Sequence, residues 1–205
     1  IDATAIVATG SITIQAEDDM TLTLTGGIDG SGGADTIAIK ADSDSDDGGD
    51  LVVVVGGQID AGDNDDVDLT GENINFSTTS ETQTYKYVFG TVQADDSITI
   101  GTLDGDLIAT TIQATDGSIG NIDVGGLINV GTLTAPDTDA NNTGSIGNLT
   151  AGESITISTA LTADQTIGNI EAAAALSFNG ITVTAPAGLG TLDAGGALDF
   201  GTISV

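Results

Sequence analysis

A chain of 205 residues with 31 acidic side chains, two lysines and no histidine, arginine or cysteine has a formal charge of −29. So few cations cannot neutralise phosphates or polyanionic surfaces, which excludes nucleic acid, anionic lipid and polyanionic glycans as partners. With no histidine base and no cysteine nucleophile, catalysis would rest on carboxylates, hydroxyls and two lysines, so an enzyme is not expected.

Thirty glycines among many Thr, Ile and Val predict strands and turns rather than helices. Alternating apolar residues begin at once, with Ile6, Ala8, Ile12 and Ile14 marking a first unit. Thr21, Thr23 and Thr25 form a short row, of the kind an ice-binding or glycan-binding face would use, but the run does not recur at the next repeats. The second unit is marked by Ile28, Gly30, Ile37 and Ile39; alternation turns Ile37, Ile39 and Ala41 inward and Lys40 outward, which disfavours an internal Lys–Asn crosslink.

Next comes an acidic stretch, residues 42–50. Asp42, Asp44 and Asp46 stand at i, i+2 and i+4, followed by Asp47 and Asp50, on a glycine-bearing loop like the oxygen-rich loops that chelate Ca2+. The pattern departs from an EF-hand, because Asp47 occupies the place of the turn glycine and no Glu stands at the twelfth position. After a third unit marked by Ile59, Ala61, Val67 and Leu69 is counted, a second acidic group falls within it, containing Asp60, Asp63, Asp65 and Asp66. Two readings stay open: calcium loops, or solvated acidic loops that prevent lateral strand pairing. Residues 1–100 hold 20 of the 31 acids, a clustering that favours local ions or repulsion over general adaptation to salt.

Tyr85, Tyr87 and Phe89 alternate with Thr84, Lys86 and Val88 and are expected to pack in the core, with a small contact patch on Tyr85 and Tyr87 as the alternative. From here a tetrad recurs: Phe89-Gly90-Thr91-Val92, Ile119-Gly120-Asn121-Ile122, Ile146-Gly147-Asn148-Leu149, Ile167-Gly168-Asn169-Ile170 and Leu189-Gly190-Thr191-Leu192. Each is followed by an apolar pair: Ile98/Ile100, Ile128/Val130, Ile155/Ile157, Leu176/Phe178 and Leu198/Phe200. Glycine in the second column suits corners, through positive φ or close backbone approach. The third column, Thr91, Asn121, Asn148, Asn169 and Thr191, is expected to form a hydrogen-bonded ladder. Glu171 to Leu176 alone has helical propensity, yet Ala172 and Leu176 occupy repeat positions. Asn75, Asn141 and Asn148 begin Asn-x-Ser/Thr sequences, with Asn148 expected to be inaccessible within the ladder.

Anchored on Ile6, Ile28, Ile59, Val92, Ile122, Leu149, Ile170 and Leu192, the repeats step by 22, 31, 33, 30, 27, 21 and 22 residues. A unit of that size cannot bury its apolar face alone and must stack on copies of itself. The prediction is an all-β fold, a parallel and right-handed β-helix of about eight rungs. It forms one elongated domain over 1–205, with long Asp-rich loops in 1–100 and regular rungs in 101–205. No uninterrupted apolar run approaches the length of a membrane-spanning helix, so no transmembrane segment is expected.

Gly10-Ser11-Ile12-Thr13-Ile14, Gly117-Ser118-Ile119-Gly120-Asn121-Ile122 and Gly144-Ser145-Ile146-Gly147-Asn148-Leu149 carry a resemblance that spans nearly the whole chain. The chain resembles the β-helix repeats of filamentous-haemagglutinin-like adhesins, autotransporter passengers and other very large prokaryotic surface proteins. The resemblance implies a secreted, extended scaffold at the cell surface and transfers no catalytic residue. The expected function is therefore a structural subunit or segment of an extracellular filament, sheath, layer or adhesin stalk. Uncapped rungs at both ends point to head-to-tail self-association or to a longer rod. A calcium-dependent adhesin, or a glycan- or ice-binding module, is the alternative, ahead of a carbohydrate-active β-helix enzyme.

Overall fold

The structure, a computed structural model, describes residues 1–7, 10–29, 36–41, 49–60, 66–79, 85–138 and 143–205, with Asp60, Asp66 and Asn179 described by their backbone alone. Among these residues there is no helix, and every pairing between strands is parallel. The chain coils into a parallel β-solenoid of about eight turns. At roughly 4.8 Å per turn the rod is on the order of 40 Å long.

Three sides make up a full turn. The long side is clearest at Lys86–Ala94, Asp106–Ala114, Ile128–Ala135, Ile155–Ala163, Leu176–Thr184 and Leu198–Ser204, which pair in that order. Earlier turns split this side into two short strands: Ile6–Val7 and Ile12–Gln15, Ile28–Asp29 and Thr36–Lys40, Ile59–Asp60 and Asp66–Gly71. The second of the two acidic groups falls in one of these splits, and Gly90 stands at the corresponding point of the first continuous strand. The second side stacks Asp2–Ala3, Met20–Leu24, Leu51–Val55, Ile74–Thr78 and Ile98–Ile100. It continues through the single bridges of Ile119 and Ile146 to Thr166–Ile167 and Gly188–Leu189. The third side stacks Ile122–Val124, Leu149–Ala151, Ile170–Ala172 and Leu192–Ala194.

Period-2 alternation places one apolar set inside. Along the long side, Ile6, Ile28, Ile59, Tyr87, Leu107, Ile128, Ile155, Leu176 and Leu198 stand one upon the next in a single column. Each aliphatic member that is fully covered contributes roughly 1.5–3 kcal/mol of burial free energy. Interior Tyr87, Leu107, Ile128, Ile155 and Leu176 are all buried, as are Met20, Leu51, Ile74, Ile98, Ile119, Ile146 and Ile167 along the second side. Phe76 is wedged edge-on between Tyr87 and Phe89, with ring centroids 5.8 and 5.4 Å away, a favourable aromatic geometry.

Like residues do meet like, and Ile122 pairs directly with Leu149, but the eight anchors belong to three columns rather than one. Ile6, Ile28 and Ile59 lie in the first column of the long side. Val92 lies in a second column of that side, between Leu69 and Ile112. Ile122, Leu149, Ile170 and Leu192 lie on the third side. The tetrad Phe89-Gly90-Thr91-Val92 is consequently no copy of Ile119-Gly120-Asn121-Ile122: it runs along a side, whereas the latter rounds a corner. Ile98/Ile100 is likewise on the second side, against Ile74/Phe76, while the true neighbour of Ile128 is Leu107. Apolar–Gly–polar–apolar is chemically suited to either location, so the pattern alone could not separate them.

Candidate functional site

Two corners carry ladders of polar side chains. At the turn between the second and third sides, the Asn148 N–H donates to Asn121 Oδ1 at 2.9 Å. The N–H of Asn169 donates to Asn148 Oδ1 at 2.9 Å, and that of Thr191 to Asn169 Oδ1 at 3.0 Å. The expected ladder thus exists, built from backbone donors and amide oxygens. Thr91 is outside it: its N–H donates to Asp68 Oδ1 at 2.8 Å, within the long side. Asn148 is exposed rather than inaccessible, because the ladder lies on the outer surface of the corner. Gly147, Gly168 and Gly190 occur where the preceding turn comes close: a Cβ on Gly147 would stand 2.6 Å from Asn121 Oδ1 and 2.8 Å from its backbone nitrogen. Close approach, not positive φ, explains these three glycines, since positive φ occurs at Gly180 and Gly188 among the described residues.

The corner between the long and second sides joins Asp19, Asp50, Asn73 and Ser97. The Asp50 N–H donates to Asp19 Oδ1 at 3.0 Å, and Asn73 Nδ2 donates to Asp50 Oδ1 at 2.9 Å. Ser97 donates to Asn73 Oδ1 through both its N–H, at 3.1 Å, and its hydroxyl, at 2.6 Å. Beside this row an open cleft of about 210 Å³ is lined by Asp50, Asn73, Asn75, Ser97 and Thr99, among others.

Of the expected calcium ligands, Asp42, Asp44, Asp46, Asp47, Asp63 and Asp65 lie outside the described residues. Asp50 belongs to the corner row just described. Asp60 ends a strand in register with Asp29, and Asp66 begins one in register with Thr36. Among the described residues no three His, Cys, Asp or Glu side chains converge on a point that could hold a metal.

The other sequence expectations divide similarly. Ile37, Ile39 and Ala41 are buried and Lys40 faces outward between Gln15 and Thr70. Tyr87 and Phe89 are buried in the core, so Tyr87 is no part of a contact patch; Tyr85 packs half-buried against the same core. The Tyr87 hydroxyl is buried without a hydrogen-bond partner, as is Asp104 Oδ2. Burial raises the Tyr87 pKa above its ordinary 10.0; the Thr78 hydroxyl, which approaches without completing a hydrogen bond, opposes the rise, and the charges of Asp104 and Tyr85 add to it. Asn75 is exposed on the second side, and Asn141 lies outside the described residues. Thr21 and Thr23 stand beside Val52 and Val54 on the next turn, so that row stops after one rung.

One surface feature escaped the sequence reading. On the long side, outward positions carry Thr132 and Thr134, then Ala160 and Thr162, then Thr182 and Thr184, then Thr202 and Ser204, on four successive turns. The residue between each pair, Leu133, Leu161, Val183 or Ile203, points inward. The detectable signal was Thr-x-Thr around one aliphatic residue, spaced by whole turns.

No family, curated protein or solved structure matches this chain.

Proposed function

We propose that this chain is a non-catalytic structural rod of the cell surface, a unit of an extracellular filament, sheath, layer or adhesin stalk of the filamentous-haemagglutinin-like kind. The observation that carries the reading is the nine-membered apolar column from Ile6 to Leu198, which gives the chain an interior uniform along its axis. Such an interior resists bending and extends by adding turns, which is what a spacer requires. Leu198 and Phe200 are 44% and 47% exposed, while Leu176 and Phe178, one turn earlier in the same columns, are fully buried, so one further turn of any origin, covalent or from a second copy, would continue the core. A second copy stacked head to tail would cover them and pair the open strand edges.

Light scattering and negative-stain micrographs of the purified chain test this. Rods longer than one unit, shortened to single units by Phe200→Asp, are expected. Wild-type particles that stay single at micromolar concentration would overturn self-association, and compact particles without a long axis would overturn the rod.

A further inference from the structure

We propose that the outward threonine array of the long side is an ice-binding face. Its two columns run Thr91, Thr111, Thr132, Ala160, Thr182, Thr202 and Gln93, Gln113, Thr134, Thr162, Thr184, Ser204, over six turns. In the last four turns seven of eight positions bear a hydroxyl. Neighbours along the rod repeat every ~4.8 Å and the two columns stand about 6.6 Å apart, a rectangular grid on the scale of oxygen repeats in an ice surface. The strands change register just before the array, between Val130 and Thr132, Thr156 and Leu161, and Phe178 and Thr182, and from there on the two columns stay in register from turn to turn.

The charge pattern selects the ligand. This chain carries 31 acids, yet on the six turns of the array none of the twelve positions is charged, although the same two columns carry Asp68 and Lys40 on the turns before it and Asp95, Asp116 and Asp164 follow within two or three residues of its edge. An excluded charge suits a neutral partner, because a carboxylate would impose its own hydration shell on the water layer. Each threonine hydroxyl instead holds one first-shell water, and the methyl beside it offers that layer no competing partner. Many weak, evenly spaced contacts made together add up to lasting adsorption on a crystal. A crystalline polysaccharide fits less well: sugar rings stack on exposed aromatic faces, whereas Tyr87, Phe89 and Phe178 of this side are buried and Phe200, 47% exposed at the last turn, belongs to the inward column of Phe178 rather than to the outward array. The inference does not depend on self-association; a single rod presents the whole array.

The test is ice recrystallisation inhibition by the full chain, with binding to crystalline cellulose and chitin measured in parallel. Wild type is expected to arrest crystal growth at micromolar concentration, and Thr162→Tyr to lose an order of magnitude or more of that activity while keeping its circular dichroism and melting temperature. Should Thr162→Tyr misfold, Thr162→Lys is the second variant. Thr150→Tyr, an outward position on the third side between Asp123 and Glu171, is expected to stay fully active. No inhibition by folded wild type, an equal loss in Thr150→Tyr, or binding to polysaccharide without binding to ice would each overturn the proposal.

Discussion

Gly120 and Gly147 occupy the same place in two copies of one tetrad, yet the structure predicts opposite responses to alanine. A Cβ on Gly120 would find Ile98 O at 3.5 Å, ordinary van der Waals contact. On Gly147 it would stand 2.6 Å from Asn121 Oδ1, and 2.8 Å from both Asn121 N and Gly120 C, so two of the three obstacles are backbone that cannot rotate away. Neither glycine has a positive φ. Both substitutions stiffen the unfolded chain and so gain about 0.4–1 kcal/mol. For Gly147→Ala that gain is opposed by about 1–3 kcal/mol of overpacking and by roughly 1 kcal/mol if Asn121 Oδ1 is pushed off the Asn148 N–H. The two variants should therefore differ by about 2–4 kcal/mol, with Gly120→Ala the more stable. For a chain of this size that is roughly 5–15 °C in melting temperature. Thermal and urea unfolding followed by circular dichroism provide the measurement. Equal shifts, or a larger loss in Gly120→Ala, would mean that the turn bearing Asn121 does not lie beneath Gly147, and the corner geometry would fall.

Removing the orphan hydroxyl in Tyr87→Phe should leave stability at neutral pH unchanged or improved, because no hydrogen bond is lost and a buried polar group is removed; Tyr87→Ala should cost about 3–5 kcal/mol. The raised Tyr87 pKa means that the unfolded chain loses this proton first, so its contribution is intact below about pH 10 and declines as pH rises towards the folded pKa. Alkaline melting curves should be correspondingly flatter in Tyr87→Phe, and identical slopes would contradict the assignment. Leu149→Ala, which empties a buried position between Ile122 and Ile170, should cost about 2–5 kcal/mol. If the acidic stretches around residues 42–50 and 60–66 hold calcium, millimolar calcium should raise the melting temperature over that in EDTA by mass action; equal values would remove calcium from the account.

How much of this was legible follows from what each signal encodes. Alternation of Ile37/Ile39, Ile128/Val130 and Ile155/Ile157 reports which face is buried, and it reported correctly. It does not report which side of the coil a strand belongs to, because all three sides require the same apolar–polar alternation. Loops of unequal length then remove the fixed period that would resolve the choice, which is why the pattern alone aligns Val92 with Ile122 although they lie on different sides. The Asn121, Asn148 and Asn169 ladder was visible because its corner repeats with the tetrad. The threonine array was hidden for the converse reason: Ala160 interrupts one column, Gln93 and Gln113 begin the other, and the conspicuous run from Thr21 to Thr25 lies on a different side, where the next turn offers valine.

The corner ladders also give the rod a direction. Asp50, Ser97, Leu127, Ser145, Asn148, Asn169, Ala175 and Thr191 each donate a backbone N–H to a side-chain oxygen of the preceding turn. Gly49, which donates to Glu72 of the following turn, runs the other way. One end of such a stack presents acceptors and the other presents donors, so two like ends cannot complete each other's ladders, and any assembly through these ends should be polar. Val7 and Asp199 stand at the first and last described turns of one backbone register column, which passes Asp29 at its start and Asn129, Thr156 and Ser177 towards its close. In a head-to-tail junction the two would become neighbours about one turn apart, ~4.8 Å, within disulfide reach. The chain has no cysteine of its own, so oxidation of a Val7→Cys, Asp199→Cys double variant should yield a ladder of covalent oligomers on a non-reducing denaturing gel, while each single variant gives no covalent dimer. Dimers from either single variant would show like ends meeting, and the polar stack would be the wrong picture of how these rods join.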